Sequence, residues 1–216
     1  MQKFTKITSP AAPLRESDVD TDVIFPARFL LLLDKAGLGK HLFHERRNAR
    51  DGAKTDFVLN TPPFDKAQIL VAGSNFGSGS SREQAVWALT DFGIRCVIAP
   101  SFGEIFYSNC FKNGALPLVI QGEAHERAML AAETGMPLTV NLEAQTVELT
   151  DGEVIGFEID PYRRRTLMLG LDEIGSILAD DAKEIAAFEA TLRTSQPWLF
   201  LDDGRLDHLF ADTRTK

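Results

Sequence analysis

The chain has 216 residues, 44% hydrophobic and 25% charged, with a formal net charge of −8. That length supports one sizeable core in an ordinary globular composition. The acidic surplus excludes nonspecific nucleic-acid binding, which depends on displacing counterions, and the apolar run over 29–33 is far too short for a membrane span.

Alternation over 4–8 predicts a short strand, followed by a turn-rich stretch with Pro10, Pro13 and Asp18. Asp20-Thr21-Asp22 precedes the apolar Val23-Ile24, a pattern that suits a helix N-cap or a turn, and Pro26 forbids a continuing ladder. Leu30-Leu31-Leu32-Leu33, with Asp34, Lys35, Gly37 and Gly39 after it, predicts a short helix and then a mobile loop. His41 and His44 share a spacing found in metal sites, but no cysteine or carboxylate completes the set, so both read as surface residues.

Beyond these lie a buried strand over 68–72, a helix over 81–92, a second strand over 94–99 and a helix over 102–113 closed by Asn113-Gly114. A third strand follows over 116–120, with Pro117 implying an edge or a bulge, and then a helix over 123–134. Strands separated by helices of this length imply parallel βαβ units. After Gly135 the pattern changes. Leu138, Val140 and Leu142, then Val147 and Leu149, then Phe157 and Ile159 alternate as an antiparallel meander, with Asp151-Gly152 as a tight turn.

Pro161 opens a short helix bearing Arg163-Arg164-Arg165, the only basic run and one that suits a solvated face or a carboxylate clamp. A last helix over 181–192 carries Ile185, Phe188 and Leu192 on one stripe. The fold class is therefore α/β, a mixed sheet with a parallel βαβ part and an antiparallel meander. With no linker composition inside it, residues 1–200 read as one domain. Residues 201–216, with Leu206, Leu209 and Phe210, are a tail that either frays or docks a partner.

The cysteines are Cys96 and Cys110, too few for an iron–sulfur cluster, and Cys96 sits in an apolar run as a small buried hydrophobe. Met1-Gln2-Lys3-Phe4-Thr5-Lys6 has no apolar signal core. A reduced, cytoplasmic compartment is expected.

The chemistry concentrates in Ala72-Gly73-Ser74-Asn75-Phe76-Gly77-Ser78-Gly79-Ser80-Ser81-Arg82-Glu83, a glycine-rich turn between strand and helix. It places Ser80, Ser81 and Arg82 at the predicted helix start, where free N–H groups favour an anion and an Arg fork suits a carboxylate. Ser80 and Glu83 also form an S-x-x-E capping box, which needs no chemistry to explain it. A dinucleotide site fits poorly, because Arg82 stands where the third glycine is required.

Gly77-Ser78-Gly79-Ser80-Ser81-Arg82-Glu83 with Ala85 closely resembles the signature of the aconitase-superfamily swivel domain. Trp87-Ala88-Leu89-Thr90-Asp91-Phe92-Gly93 and Ile98-Ala99-Pro100-Ser101-Phe102 are similar to the small subunits of the bacterial 3-isopropylmalate dehydratases, and the resemblance runs from about Phe4 to Phe200.

The resemblance implies a swivelling β/β/α domain and a hydro-lyase that isomerises 2- and 3-isopropylmalate in leucine biosynthesis by dehydration and rehydration. It implies Ser80 as the base for the carbon proton, and Ser81 and Arg82 as holders of the substrate carboxylate. Thr21-Asp22 match the family's active-site Thr-Asp pair, with Asp22 orienting the site. Lys35 stands in the loop that covers the substrate, where members usually carry a more basic stretch, and Gln84 stands where they usually have His.

The family's four-iron–four-sulfur cluster belongs to a separate large subunit, so the resemblance implies no metal on this chain and a heterodimeric or heterotetrameric partner. It leaves open a paralogue acting on citraconate, dimethylmaleate or a homoaconitate-like acid. A non-catalytic anion-binding module, from a different class, would not need the Thr-Asp pair and the Ser-Ser-Arg motif together.

Overall fold

Strand β2 (Ile69–Ala72) is apolar at every position because both of its faces are covered. Its side chains alternate across the sheet. Leu70 and Ala72 join Val86, Leu89 and Phe106 in one core cluster, whereas Ile69 and Val71 join Leu118, Met129 and Val140 in a second. The computed structural model describes residues 1–32 and 34–200. Two compact units divide after Asp172.

The first unit is built on a seven-stranded sheet in the order β4-β3-β2-β1-β5-β6-β7. β1 (Lys6–Leu14), β2, β3 (Cys96–Ala99) and β4 (Leu116–Val119) run parallel. β5 (Pro137–Asn141), β6 (Thr146–Glu148) and β7 (Val154–Gly156) continue the other side as the antiparallel meander. Pro117 does lie on an edge strand. Helices α3 (Gln84–Phe92), α4 (Glu104–Lys112) and α5 (Gly122–Glu133) fall between the parallel strands and β5, as expected. Gly114 after α4 and Gly135 after α5 both adopt positive φ.

β1 corrects the expected turn at Pro10 and Pro13, since it continues to Leu14 and links the two halves of the sheet. Lys6–Pro10 pair with β5, and Ala11–Leu14 pair with β2. The Thr8 and Thr139 hydroxyls meet at 2.9 Å, as side chains do across a non-hydrogen-bonded pair. Two residues on, Pro10 faces Pro137 in the same kind of slot, where neither needs an N–H. The Leu14 carbonyl accepts from Gly73 N at 3.1 Å, so Pro13 turns its backbone away from β2, beyond the end of the β5 pairing.

The stretch after β1 also departs from expectation. Asp20 does cap a short helix, α1 (Thr21–Ile24), by accepting from Val23 N at 2.8 Å. The leucine run forms no helix among its described residues; one-turn 3-10 segments stand at Ala27–Phe29 and Gly39–His41, before α2 (His44–Arg47). His41 and His44 are half-buried and not on the open surface. The His41 ring stacks on Phe29 at 3.9 Å, and His44 lies 5.0 Å from the same ring. Burial first, then nearby cations such as Lys40 and Arg28, push both imidazoles below their ordinary pKa.

α6 (Pro161–Leu169) starts at Pro161, with Asp160 accepting from Arg163 N at 3.0 Å, and sends Leu167 into the second cluster. The second unit contains α7 (Glu173–Asp180), which sequence reasoning did not anticipate, and α8 (Ala182–Ser195). Its Arg193 guanidinium lies 4.2 Å over the Phe200 ring. The expectation for 201–216 falls outside the described residues.

Candidate active site

The parallel strands β1, β2 and β3 point their C-terminal ends the same way, and the loops that leave them are laced together. Asp18 N donates to Ser74 O at 2.8 Å, Gly77 N to Val19 O at 2.7 Å and Thr21 N to Ser78 O at 2.9 Å. On the other side Phe76 N donates to Ser101 O at 3.1 Å and Gly103 N to Phe76 O at 2.9 Å. Crevices at the carboxyl ends of parallel strands are the usual binding place in such sheets.

Gly77 and Gly79 are required here. Their φ values are +75° and +93°, and a Cβ on Gly77 would come within 2.2 Å of the Phe106 ring. The turn therefore passes close over α4 before it delivers Ser80. Its side of the crevice is a cavity of about 560 Å³ lined by residues 77–81 and 103–106.

This lacing brings Thr21 and Ser80 together across 59 positions of sequence, with their hydroxyl oxygens 2.7 Å apart. Thr21 is 1% exposed and Ser80 is half-buried at the surface of the turn. Arg82 forms an ion pair with Asp22, whose carboxylate is 54% exposed. The hydrogen bond from Arg82, and then its charge, hold Asp22 below the usual carboxylate range against a partial desolvation. Asp22 therefore remains an anion at neutral pH. Ser81 is exposed beside them.

The helix start corrects the expected electrostatics. α3 begins at Gln84, with Glu83 as its N-cap and no side-chain hydrogen bond closing the cap. The S-x-x-E box does not form. Ser80 Oγ instead lies 3.4 Å from Arg82 N and hydrogen-bonds to Thr21. The residues 80–82 precede the helix, and a dipole that falls off within one turn contributes little to Ser80.

Profiles of known families match three parts of the chain. That of the aconitase C-terminal domain spans 1–123, and one described as LeuD_N spans 128–161. The third, over 180–202, is the C-terminal domain of the small subunit of 3-isopropylmalate dehydratase. A 3-isopropylmalate dehydratase small subunit of Parvibaculum lavamentivorans is 54% identical over 202 residues, spanning 92% of this chain and 100% of the relative. The chain belongs to the 3-isopropylmalate dehydratase small-subunit family.

A Cereibacter sphaeroides member is 52% identical over the same shares of both chains. A crystal structure of 3-isopropylmalate dehydratase from Methanocaldococcus jannaschii superposes with a TM-score of 0.60 at 27% identity, covering 85% of this chain and 99% of that one. The fold is thus the aconitase-type swivel domain expected from the sequence.

Of the residues singled out from the small-subunit signature, the structure gathers Thr21, Asp22, Ser80, Ser81 and Arg82. It does not bring Lys35 to them. Lys35 Nζ lies 4.6 Å over the Trp87 ring and donates to Asn113 Oδ1 at 3.2 Å, at the edge of a separate cavity. Gln84 is half-buried at the first position of α3. Sequence reasoning missed Asn109, whose amide donates to Ser81 O at 3.4 Å. Its spacing of four from Asn113 on one helix face was the available signal.

Among the described residues, no group of three or more His, Cys, Asp or Glu side chains is placed to hold a metal. Cys96 and Cys110 are fully buried, and burial pushes both thiols well above their ordinary pKa. These residues do not fit an iron–sulfur cluster. No helix among the described residues is long and apolar enough to cross a membrane.

Proposed function

We propose that this chain, acting as a swivel domain over residues 1–200, supplies the base side of a 3-isopropylmalate dehydratase. Together with a large subunit it interconverts 2- and 3-isopropylmalate in cytoplasmic leucine biosynthesis. The observation that carries this reading is the Thr21–Ser80 hydroxyl pair at 2.7 Å beside the Asp22–Arg82 ion pair. The names of relatives at 52–54% identity supply the substrate.

The reaction removes a proton from a carbon next to a carboxylate and expels hydroxide from its neighbour. Ser80 Oγ takes and returns that proton. Thr21 fixes its direction by donating its own O–H to the Ser80 oxygen, which favours the ionised form that takes the proton. Arg82, steadied by Asp22, keeps donors of its five-donor fork for the substrate carboxylate and for the enolate-like charge that develops on it. Ser81 adds an exposed hydroxyl to the same carboxylate.

A serine hydroxyl ionises well above the tyrosine value of about 10. The helix dipole, worth roughly 0.3–1 kcal/mol even at the helix end, does not close that gap. Aimed donors in a water-poor site are needed. The Ser80 crevice is open to solvent on this chain, so drying it requires another polypeptide. We assign the Lewis acid that the leaving hydroxide needs to that large subunit, as a four-iron–four-sulfur cluster.

The test is co-expression with the large subunit and an absorbance assay for the unsaturated diacid formed from 3-isopropylmalate. Ser80→Ala is expected to lower kcat by at least about a hundredfold, the ordinary scale of a lost general base. An undiminished rate in a folded, assembled Ser80→Ala complex would overturn the assignment.

A further inference from the structure

Arg82 is gripped from both sides in the chain by one end of α4. Asn109 Nδ2 donates to the Ser81 carbonyl at 3.4 Å, and Asn113 Nδ2 donates to Glu83 Oε1 at 2.7 Å. The two asparagines are themselves joined, because Asn113 Nδ2 also donates to Asn109 O at 2.9 Å. Asn109 is 8% exposed and Asn113 is half-buried, so water competes little for these bonds.

The acceptor side of Asn113 is equally engaged. Trp87 Nε1 donates to its Oδ1 at 2.9 Å and lies 3.3 Å from Glu83 Oε1. Lys35 Nζ reaches the same Oδ1 at 3.2 Å while stacking on the Trp87 ring. One amide therefore ties together the segment that carries Arg82, the first turn of α3, the end of α4 and the loop that holds Lys35.

We infer that Asn113 is a positioning residue for the dehydratase reaction. It touches neither substrate nor the reacting atoms. It holds the Glu83 side chain after Arg82 and bonds the carbonyl of Asn109, whose amide holds the Ser81 carbonyl before Arg82. It thereby sets the angle from which Ser80 and Arg82 meet the substrate, and it docks the Lys35 loop to that same support. The inference rests on the reading of Ser80 and Arg82 given above. Because Arg82 keeps its ion pair with Asp22 when Asn113 is altered, substrate is still held but less well aimed, which penalises the transition state more than the bound ground state.

The experiment uses the complex with the large subunit and compares Asn113→Asp, Asn113→Asp with Glu83→Gln, and Arg82→Ala. Asn113→Asp sets a carboxylate against Glu83. Its kcat is expected to fall about tenfold, with KM changing less than about threefold. In the double variant an amide at position 83 donates to the carboxylate at 113, and most of the lost kcat is expected to return.

Loss of activity in Arg82→Ala, together with wild-type kcat in Asn113→Asp, overturns the inference and leaves the site assignment standing. Full activity in Arg82→Ala instead refutes the site. A failure of the double variant to recover kcat in a folded complex also overturns the inference. Should Asn113→Asp not assemble, Trp87→Phe removes the indole donor and keeps the ring under Lys35. It is expected to lower kcat about threefold at near-constant KM, and an unchanged kcat there is equally decisive against the inference.

Discussion

The two halves of the sheet solve different problems with the same backbone. In the parallel half, β2 and β3 are buried at every residue, and their ends converge on Thr21, Ser80 and Ser101. In the antiparallel half, β5 to β7 alternate between buried and open positions, and none of their residues reaches the crevice. The difference teaches where precision is needed. A strand packed on both faces has no freedom to rock, so a loop at its end inherits a fixed aim. A strand with one open face stabilises the fold without aiming anything.

The sharpest test truncates a matched pair of leucines, Leu70 in the parallel half and Leu138 in the antiparallel half, each 0% exposed. Leu70→Ala and Leu138→Ala should each cost about 2–5 kcal/mol in denaturant melts. In the folded fraction only Leu70→Ala is expected to lower kcat of the assembled enzyme. Equal losses of kcat would erase the distinction between the halves.

Acid gives a smaller, regional effect. The folded pKa of His41 and His44 is depressed, so protonation favours the opened state. The stability they help to hold is intact above the unfolded value of about 6.5 and drains as pH falls from there through the folded pKa. Amide protection factors over 34–48, corrected for the intrinsic exchange rate at each pH, should fall between pH 7.5 and pH 5.5, with those of the histidine-free strands β5 to β7 unmoved. A His41→Phe variant should blunt the change.

The smallest effect lies on the open face of the meander. Thr139→Val removes the exposed Thr8–Thr139 hydroxyl pair and should move stability by no more than about 0.5 kcal/mol, with activity unchanged.

Those contrasts also explain what the sequence made legible. Apolar runs such as Ile69-Leu70-Val71-Ala72 announced buried strands, and Pro161 announced the start of α6, because each signal is local. The positions of Thr21 and Ser80 in the crevice followed from resemblance, since no local rule reports a contact spanning 59 residues. The capping box at Ser80 misled because Thr21, arriving from another loop, took the hydroxyl first. Pro10 and Pro13 misled for a related reason. A proline breaks a ladder only where its N–H is required, and β1 changes neighbours between them. The role of Asn113 was hidden because a residue at a helix C-terminus explains itself as a cap.

The shared strand β1 has a consequence for how the protein is made. It leaves the ribosome before the other strands of its sheet, yet Thr8 finds its partner Thr139 only after 131 further positions have been added. Until β5 emerges, the Lys6–Pro10 stretch of β1 is an open edge, exposed to pairing with the wrong segment. Synthesis paused with residue 137 still inside the ribosome should therefore leave the nascent protein dependent on a chaperone, whereas a pause that leaves residue 156 outside it should not.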